Sequence, residues 1–268
     1  MDFKYFDIHS HLNLDPLTKQ QDEIIEILEK ENIGTITIGV DKKTSIEAVK
    51  IAEKSKNIFA GVGVHPTDTD YNGFDYEFYK SLAQKDRVVC IGECGLDYFR
   101  IKDTATEIKD KQKEVFVQQI ELALELDLPL MLHCRPTKGT MDAYEDVLEI
   151  LNSYFLIHNS KLRGNSHFFV GDIGIASQFI DIGFTLSFDG PITFARDYDE
   201  VIKYVPLDMI HAETDAPFAA PEPYRGKTNM PQYVKEVVKK IAEIRGEDFE
   251  TVRRALIDNA LRVFSINK

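Results

Sequence analysis

The sequence predicts an α/β protein, a single (β/α)8 TIM barrel with a metal site at the C-terminal ends of its strands. Three observations support this prediction. The length of 268 residues is usual for such a barrel. Short β-branched runs alternate with amphipathic stretches along the whole chain, which indicates parallel strands joined by helices. Histidines and carboxylates recur where the predicted strands end, and no linker interrupts the pattern, so one domain over 1–268 is expected.

Eight predicted strands follow one another with room for a helix after each. They are residues 4–9, 34–40, 58–64, 88–93, 129–134, 164–170, 183–188 and 208–214. Between the first two strands, Ile24, Ile27 and Leu28 recur at helical spacing. An open doubly wound sheet is the structural alternative, but it would not place candidate ligands after so many strands. The sequence also contains neither GxxxxGKS nor GxGxxG, the glycine-rich patterns that bind phosphate.

The bulk composition describes an ordinary water-soluble protein, with 43% hydrophobic and 29% charged residues. Its net charge of −13 argues against a protein that coats nucleic acid, but not against an enzyme that binds phosphate at one local site. Cys90, Cys94 and Cys134 are too few for a disulfide framework and fit a reducing compartment. With no membrane-spanning run and no secretion signal, a cytoplasmic protein is expected. The acidic surface favours a monomer.

The first predicted strand ends in the stretch FDIHSHL, which contains two histidines one residue apart. Residues i and i+2 of a strand point to the same face, so the imidazoles of His9 and His11 would project together. That geometry suits the binding of one metal ion from a single strand. Taken alone, the two histidines could equally be a surface pair or a core pair.

Similar residues stand at the ends of other predicted strands. Strand three ends at His65, strand four at Glu93 and strand five at His133, while His167 belongs to strand six and Asp215 closes strand eight. Active sites of barrels form at the carboxyl ends of the strands. We therefore expect these side chains to converge with the first histidine pair on one rim.

Two divalent ions, of zinc, magnesium or manganese, fit this set of nitrogen and oxygen ligands. The predicted metal ligands are His9, His11, Glu93, His133, His167 and Asp215. Glu93 would bridge the ions. Two metals about 3.5–4 Å apart can bind a bridging water, lower its pKa and stabilise both oxygens of an in-line displacement. Asp215, at the edge of the metals, is the predicted general base that takes the proton from the attacking water.

Two more residues share the strand parity of Asp215. Glu213 could orient a ligand or a metal-bound water from outside the ligand set, although an inward-facing polar residue paired with a neighbouring strand would look the same. His211 lies two residues before Glu213 in the same strand. We expect it to be a hydrogen-bonded histidine of the core, below the metals.

Six motifs resemble the TatD family of metal-dependent deoxyribonucleases, which belongs to the wider amidohydrolase-like barrels. They are FDIHSHL, GVHP, IGECGLDY, PLMLHCR, SHFFVG and ETDAP, in that order, and the resemblance extends to NALRVF near the end of the chain. It implies the same six metal ligands, and it implies that His65 contacts a substrate phosphate. Where family members often read HSRDA, this chain reads HCRPT and keeps Arg135, and where they read HCFSG it reads HFFVG.

Basic and aromatic residues recur in the loops expected around the site, among them Arg135 and Arg225. Guanidinium groups suit phosphate oxygens, and exposed rings can stack on unpaired bases at ~1–3 kcal/mol each. Arg225 is favoured because the family carries a segment similar to YRGKTNMP. The leading hypothesis is therefore a phosphodiesterase acting on DNA, an exonuclease on single-stranded ends, although loops commonly contain such residues without any function.

Two other classes of function are considered. An amidohydrolase, a deaminase or a small phosphoesterase could use the same metals. However, related deaminase barrels place a catalytic Glu where this chain has Pro136, and many dinuclear amidohydrolases use a carbamylated Lys where it has Glu93. A non-catalytic binding protein on the same barrel would have no need to keep six metal ligands. These observations favour the phosphodiesterase.

Overall fold

The computed structural model describes residues 2–68, 73–101, 106–158 and 162–266. Within these residues, eight parallel strands form one sheet in which each strand pairs with the next along the chain. The strands are β1 (Tyr5–Ser10), β2 (Ile33–Ile38), β3 (Ile58–Val62), β4 (Val88–Asp97), β5 (Leu130–Arg135), β6 (Gly164–Ser166), β7 (Thr185–Phe188) and β8 (Ile210–Ala212). The predicted α/β barrel is confirmed.

Helices connect the strands on the outside of the sheet. The described residues contain α1 (Gln21–Glu31), α2 (Lys42–Ala52), α3 (Tyr76–Ala83), α4 (Thr106–Leu126), α5 (Asp142–His158), α6 (Ile173–Asp181), α7 (Asp199–Tyr204), α8 (Val234–Arg245) and α9 (Phe249–Val263). The first seven each join one strand to the next, and the last two follow β8. The strand–helix alternation is thus as predicted, with one helix added at the end.

Short polar side chains fix where several helices begin. At the start of α2, Asp41 Oδ1 accepts a hydrogen bond of 2.7 Å from the Thr44 amide, while Thr44 Oγ1 accepts one of 2.9 Å from the Asp41 amide. This reciprocal capping box satisfies two amides that the helix itself leaves unpaired. Asp172 caps α6 and Asp248 caps α9 in the simpler one-way manner.

The last helix covers one end of the barrel. Asn259 in α9 donates hydrogen bonds of 2.8 and 2.9 Å to the carbonyls of Leu207 and Ile210, next to the start of β8. Arg253 donates to the carbonyl of Lys4, just before β1. These contacts place α9 across the amino ends of β1 and β8, so the carboxyl ends, where the predicted ligands lie, face the other way.

The sheet closes between β8 and β1 through the residues that follow β8. The amide of Asp215 donates to the carbonyl of His9 at 2.9 Å, and the amide of His11 donates to the carbonyl of Ala216 at 2.7 Å. Beneath them the buried carboxylate of Asp7 accepts from the Thr214 amide at 2.9 Å and from the Thr214 hydroxyl at 2.8 Å. Asp7 therefore ties the first strand to the last.

A one-residue bulge interrupts β1 and β4, the strands that carry His9 and Glu93. In β4, Ile91 is opposite Leu130 but Cys94 is opposite Leu132, so β4 carries one extra residue next to Glu93. β1 has the same irregularity between Asp7 and Ser10, next to its first histidine. Bulges often re-aim a side chain beside an active site. Beyond its bulge β4 continues to Asp97, four residues past the predicted end at Glu93.

Five strands are shorter than predicted, and β6 and β8 differ most from their predicted ranges. β6 ends at Ser166 because the amide of Phe168 donates at 2.6 Å to the side chain of Glu213 instead of to a neighbouring strand. β8 ends at Ala212, and the amide of Thr214 donates to Asp7. In both places a buried carboxylate accepts the backbone hydrogen bond that a neighbouring strand would otherwise accept. The chain then turns towards the site.

Replacing Asp7 by Ala should destabilise the fold, because it leaves the buried amide and hydroxyl of Thr214 without their acceptor. We expect the free energy of unfolding to fall by about 2–4 kcal/mol, measured by urea denaturation. The control is Asp22→Ala, since that side chain is 90% exposed. Equal stability of the two variants would contradict the assigned role of Asp7.

Candidate metal centre

Glu93 lies at the centre of the site, with only 3% of its surface exposed. Its Oε1 atom is 2.8 Å from Nδ1 of His133 and 2.9 Å from Nε2 of His167. Its Oε2 atom is 3.5 Å from Nε2 of both His9 and His11. The two oxygens of one carboxylate therefore face two different histidine pairs.

Asp215 completes the side of the site formed by β1. Its Oδ1 atom is 3.3 Å from Nε2 of His11 and 3.7 Å from Nε2 of His9. The rings of His9 and His167 stack with centroids 3.8 Å apart, which joins this half of the site to the other. The structure thus brings together all six residues predicted as metal ligands.

The ring nitrogens that face Glu93 are suited to a cation. Nδ1 of His11 lies 2.9 Å from the carbonyl of Ile38, and a carbonyl only accepts, so this nitrogen carries the proton of the neutral ring. Its Nε2 atom then offers a lone pair at 3.1 Å from Nε2 of His9. Unprotonated nitrogens and carboxylate oxygens that converge in a buried space fit a divalent metal.

Carboxylates outside the set of six hold two of the rings. Oε1 of Glu213 is 3.4 Å from Nδ1 of His167, and Oδ2 of Asp97 is 3.2 Å from Nε2 of His133. Carboxylates commonly hydrogen-bond the outer nitrogen of a metal-binding histidine, as Asp97 does here with His133. Glu213 lies where its parity predicts, whereas sequence reasoning missed Asp97 because the fourth strand was predicted to end at Glu93. The signal was present, since the two residues are four apart and point to one face of a strand.

Without a cation, the charges in the centre balance one another. Burial would raise the pKa of Glu93, but the charges of His167 and His65 and the hydrogen bonds from His133 and His167 hold it well below its usual range. Burial would lower the pKa of His167, yet Glu93 and Glu213 raise it well above its usual value. Buried carboxylates that draw protons onto neighbouring histidines provide a site that a metal cation can occupy instead.

His65 faces the centre as a hydrogen-bond donor. Its Nδ1 atom accepts from the Thr67 amide at 3.1 Å, so the proton of the neutral ring is on Nε2, which points to Oε1 of Glu93 at 3.5 Å. Burial, with the charge of His133 next, lowers the pKa of His65 to about 3, so the ring is neutral at physiological pH. A protonated nitrogen cannot bind a metal, so His65 lies beside the six predicted ligands as a donor and not as a seventh ligand.

His211 lies inside the barrel, as expected. It is fully buried, and its Nε2 atom hydrogen-bonds the hydroxyl of Thr185 at 3.0 Å. Burial and the charge of Arg262 lower the pKa of its ring to about 3, which keeps it neutral. The residue is a core histidine that is hydrogen-bonded through Nε2, while its buried Nδ1 atom has no hydrogen-bond partner among the described residues.

A cavity of about 520 Å³ opens directly above the centre. Its described lining includes Glu93, His65, Asp215, Arg135 and Phe218. The guanidinium of Arg135 lies over the ring of Phe99 at 4.1 Å. A larger depression, of about 670 Å³, lies at the amino ends of the strands and is lined by none of the predicted ligands.

Arg225 is not part of the described lining of this cavity. It lies in the loop after β8, with its guanidinium 4.1 Å from the ring centroid of Phe194 in the loop after β7. Both loops belong to the carboxyl face of the barrel. Arg225 is therefore on the predicted face but outside the described lining of the cavity.

Comparisons with known proteins agree with this geometry. A family model described as TatD related DNase matches residues 6–265. The chain is 40% identical over 266 residues to the uncharacterized metal-dependent hydrolase YabD of Bacillus subtilis strain 168, which covers 98% of this chain and 99% of that protein. It is 31% identical over 270 residues to the uncharacterized metal-dependent hydrolase YcfH of Escherichia coli K12, with 98% and 97% covered.

Solved structures share the fold. YJJV, a TatD homolog from Escherichia coli K12, covers 100% of both chains with a TM-score of 0.86 at 23% identity. A TatD family hydrolase from Entamoeba histolytica covers 98% of both chains with a TM-score of 0.82 at 21% identity. The fold, the cluster of ligands and the relatives together define a metal-dependent hydrolase built on a TIM barrel. The chain belongs to the TatD related DNase family.

Proposed function

We propose that this protein is a divalent-metal-dependent phosphodiesterase that removes nucleotides from single-stranded ends of DNA. The observation that carries the proposal is the position of Glu93, whose two carboxylate oxygens face two separate histidine pairs. Such a bridge is suited to two ions, and a two-ion site is suited to in-line displacement at phosphorus. Membership of the TatD related DNase family supports DNA as the substrate.

Each ion would have its own set of protein ligands. His9, His11 and Asp215 would hold the first, and His133 and His167 the second, with one oxygen of Glu93 directed to each. Zinc, manganese and magnesium all accept such nitrogen and oxygen ligands. When bound, the ions supply positive charge that polarises the phosphate and makes water more acidic.

Asp215 would act as the general base. Its Oδ1 atom faces His11, and the residue lines the cavity, so its carboxylate can reach a water that approaches the phosphate. Burial would raise the pKa of Asp215, but the hydrogen bond from His11 and the charge of His9 lower it, so the group is ionised at neutral pH. It would take the proton of the attacking water onto a carboxylate oxygen.

The cavity is suited to one terminal nucleotide. Its volume of about 520 Å³ is in the range of small-molecule sites, which favours an end of a strand over the middle of a duplex. Arg100 and Arg135 line it, and both guanidinium groups would donate hydrogen bonds to phosphate oxygens. His65 would add its Nε2 proton as a third donor.

Phe218 would stack on the base of that nucleotide. Its ring is 52% exposed at the edge of the cavity, with its centroid 6.2 Å from that of His11. The loop is held in place because Asn229 donates at 2.7 Å to the carbonyl of Phe218. An exposed ring on a fixed backbone, next to the metal centre, is what recognition of an unpaired base requires.

No helix among the described residues is long and apolar enough to cross a membrane. We also infer that the protein works as a monomer in the cytoplasm. The buried free thiols of Cys90, Cys94 and Cys134 are compatible with a reducing compartment.

A small phosphoester is the second candidate substrate. The net charge of −13 disfavours long contacts with a nucleic acid, while a compact phosphoester would meet only the local cationic groups of the cavity. The metal centre, the general base and the arginine contacts would have the same roles. The two candidates differ in whether Phe218 contributes.

The reaction can be tested with end-labelled single-stranded and duplex DNA in the presence of Mg²⁺, Mn²⁺ or Zn²⁺. We expect metal-dependent shortening of the single strand, reduced at least ~100-fold in Asp215→Asn and in Glu93→Ala, because a general base alone contributes that much. The matched control is Asp208→Asn, an exposed residue at the amino end of the same strand. Full activity of Asp215→Asn would exclude the assigned mechanism.

A second variant separates the two candidate substrates. Phe218→Ala should lower kcat/KM on single-stranded DNA by about 5- to 160-fold, since stacking of one base is worth about 1–3 kcal/mol. Hydrolysis of bis(p-nitrophenyl) phosphate, which has no base, should change little. Tyr204→Ala, a half-exposed aromatic on α7, is the control. An equal loss on both substrates would indicate a structural role for Phe218, and no loss on either would favour a small phosphoester as substrate.

A further inference from the structure

Asp97 is a buried carboxylate that the proposed reaction does not use. It is the last residue of β4 and only 1% exposed, although it adjoins the metal centre. The pairing of β4 with β5 sets Gly95 opposite His133 and Asp97 opposite Arg135. Asp97 therefore lies on the face of β4 that carries Glu93, in line with a proposed metal ligand and a proposed substrate contact.

One oxygen of Asp97 holds the ring of His133. Oδ2 lies 3.2 Å from Nε2 of His133, while Nδ1 of the same ring lies 2.8 Å from Oε1 of Glu93. A carboxylate on the outer nitrogen keeps the proton there and leaves a lone pair on the inner nitrogen. Asp97 thus selects the form of His133 that can bind a metal through Nδ1.

The other oxygen of Asp97 holds the support of Arg135. Oδ1 accepts a hydrogen bond of 3.1 Å from the amide of Phe99. The half-exposed ring of Phe99 carries the guanidinium of Arg135 at 4.1 Å, and that guanidinium lines the cavity. The position of the arginine therefore depends on a contact made by the carboxylate that orients His133.

The backbone of Asp97 is fixed to the outer layer of the barrel. Gln112 in α4 is buried, accepts from the amide of Asp97 at 2.9 Å and donates to the carbonyl of Asp97 at 3.1 Å. Next to it, a side chain at Gly95 would place its Cβ 2.2 Å from the carbonyl oxygen of His133. The end of β4 is thus held closely against both α4 and β5.

A third metal ion is the competing interpretation, because His65, Asp97 and His133 are close enough to hold one. The hydrogen bonds argue against it. Nδ1 of His65 accepts from the Thr67 amide, so Nε2 bears the ring proton and has no lone pair for a metal. Only Asp97 and His133 then remain as possible ligands, and His133 already faces Glu93.

We propose that Asp97 is a positioning residue that couples the metal centre to the substrate contact, with Oδ2 orienting His133 and Oδ1 placing Phe99 beneath Arg135. The inference rests on the proposed two-ion phosphodiesterase. It assigns to one side chain two effects, one on metal affinity and one on substrate affinity, that can be measured separately.

The test titrates the metal-free protein with Mn²⁺ by calorimetry and measures kcat and KM on end-labelled single-stranded DNA. Asp97→Asn keeps an oxygen for the Phe99 amide but turns an NH₂ group towards His133. We expect one of two ions to bind about 10- to 100-fold more weakly and kcat to fall, with a smaller change in KM. Phe99→Leu should raise KM a few-fold, since an exposed cation–π contact is weak, and leave both ions unchanged.

Asp248→Asn, which keeps the cap of α9 at the far end of the barrel, is the matched control and should change neither quantity. Near-wild-type metal affinity and kcat in a folded Asp97→Asn variant would overturn the proposal. Three ions in the wild type and two in Asp97→Asn would overturn it in favour of Asp97 as a metal ligand.

If the wild type binds two ions but leaves DNA intact, the proposed function fails while the metal titration still tests Asp97. If Asp97→Asn does not fold, an unchanged KM in Phe99→Leu would refute the proposed effect of Asp97 on substrate affinity.

Discussion

The site depends on one constraint, a negative charge buried between two pairs of histidines. Glu93 can occupy that place because β4 carries an extra residue there, which turns the carboxylate so that each oxygen faces a different pair. A buried carboxylate is costly unless positive charge compensates it. The raised pKa of His167 and the lowered pKa of Glu93 have this common cause. The cluster is therefore stable only with protons or metal ions between its ligands.

Three further carboxylates connect this centre to the barrel. Asp7 joins β1 to the residues after β8, Glu213 receives the amide at the end of β6 and faces His167, and Asp97 joins β4 to His133. Asp7 and Glu213 accept backbone amides just beyond the ends of strands, and Asp97 is the last residue of β4. The geometry of the site and the closure of the sheet therefore depend on the same hydrogen bonds. We infer that the ligands are held rigidly because the strands that carry them have no freedom to slide.

Much of this arrangement could be predicted from the sequence, because strand ends and strand parity are local properties. The His9–His11 spacing, taken together with the histidines and carboxylates that end other predicted strands, predicted that these side chains converge on one rim. β4 was predicted to end at Glu93 because Gly92 and Gly95 suggest the end of a strand, and Asp97 was missed for that reason, although its spacing from Glu93 places both on one face. β6 and β8 were predicted too long because their last amides bond to carboxylates distant in sequence, which no local pattern reveals. The position of Arg225 against Phe194, outside the described lining of the cavity, likewise depends on the packing of two loops.

The central claim, that Glu93 lies between two metal ions, is tested most directly by crystals grown with Mn²⁺ and anomalous diffraction data. The account predicts two anomalous peaks about 3.5–4 Å apart, one on the side of His9 and His11 and one on the side of His133 and His167, with Glu93 contacting both. A single peak on one side, or two peaks of which Glu93 contacts only one, would contradict it.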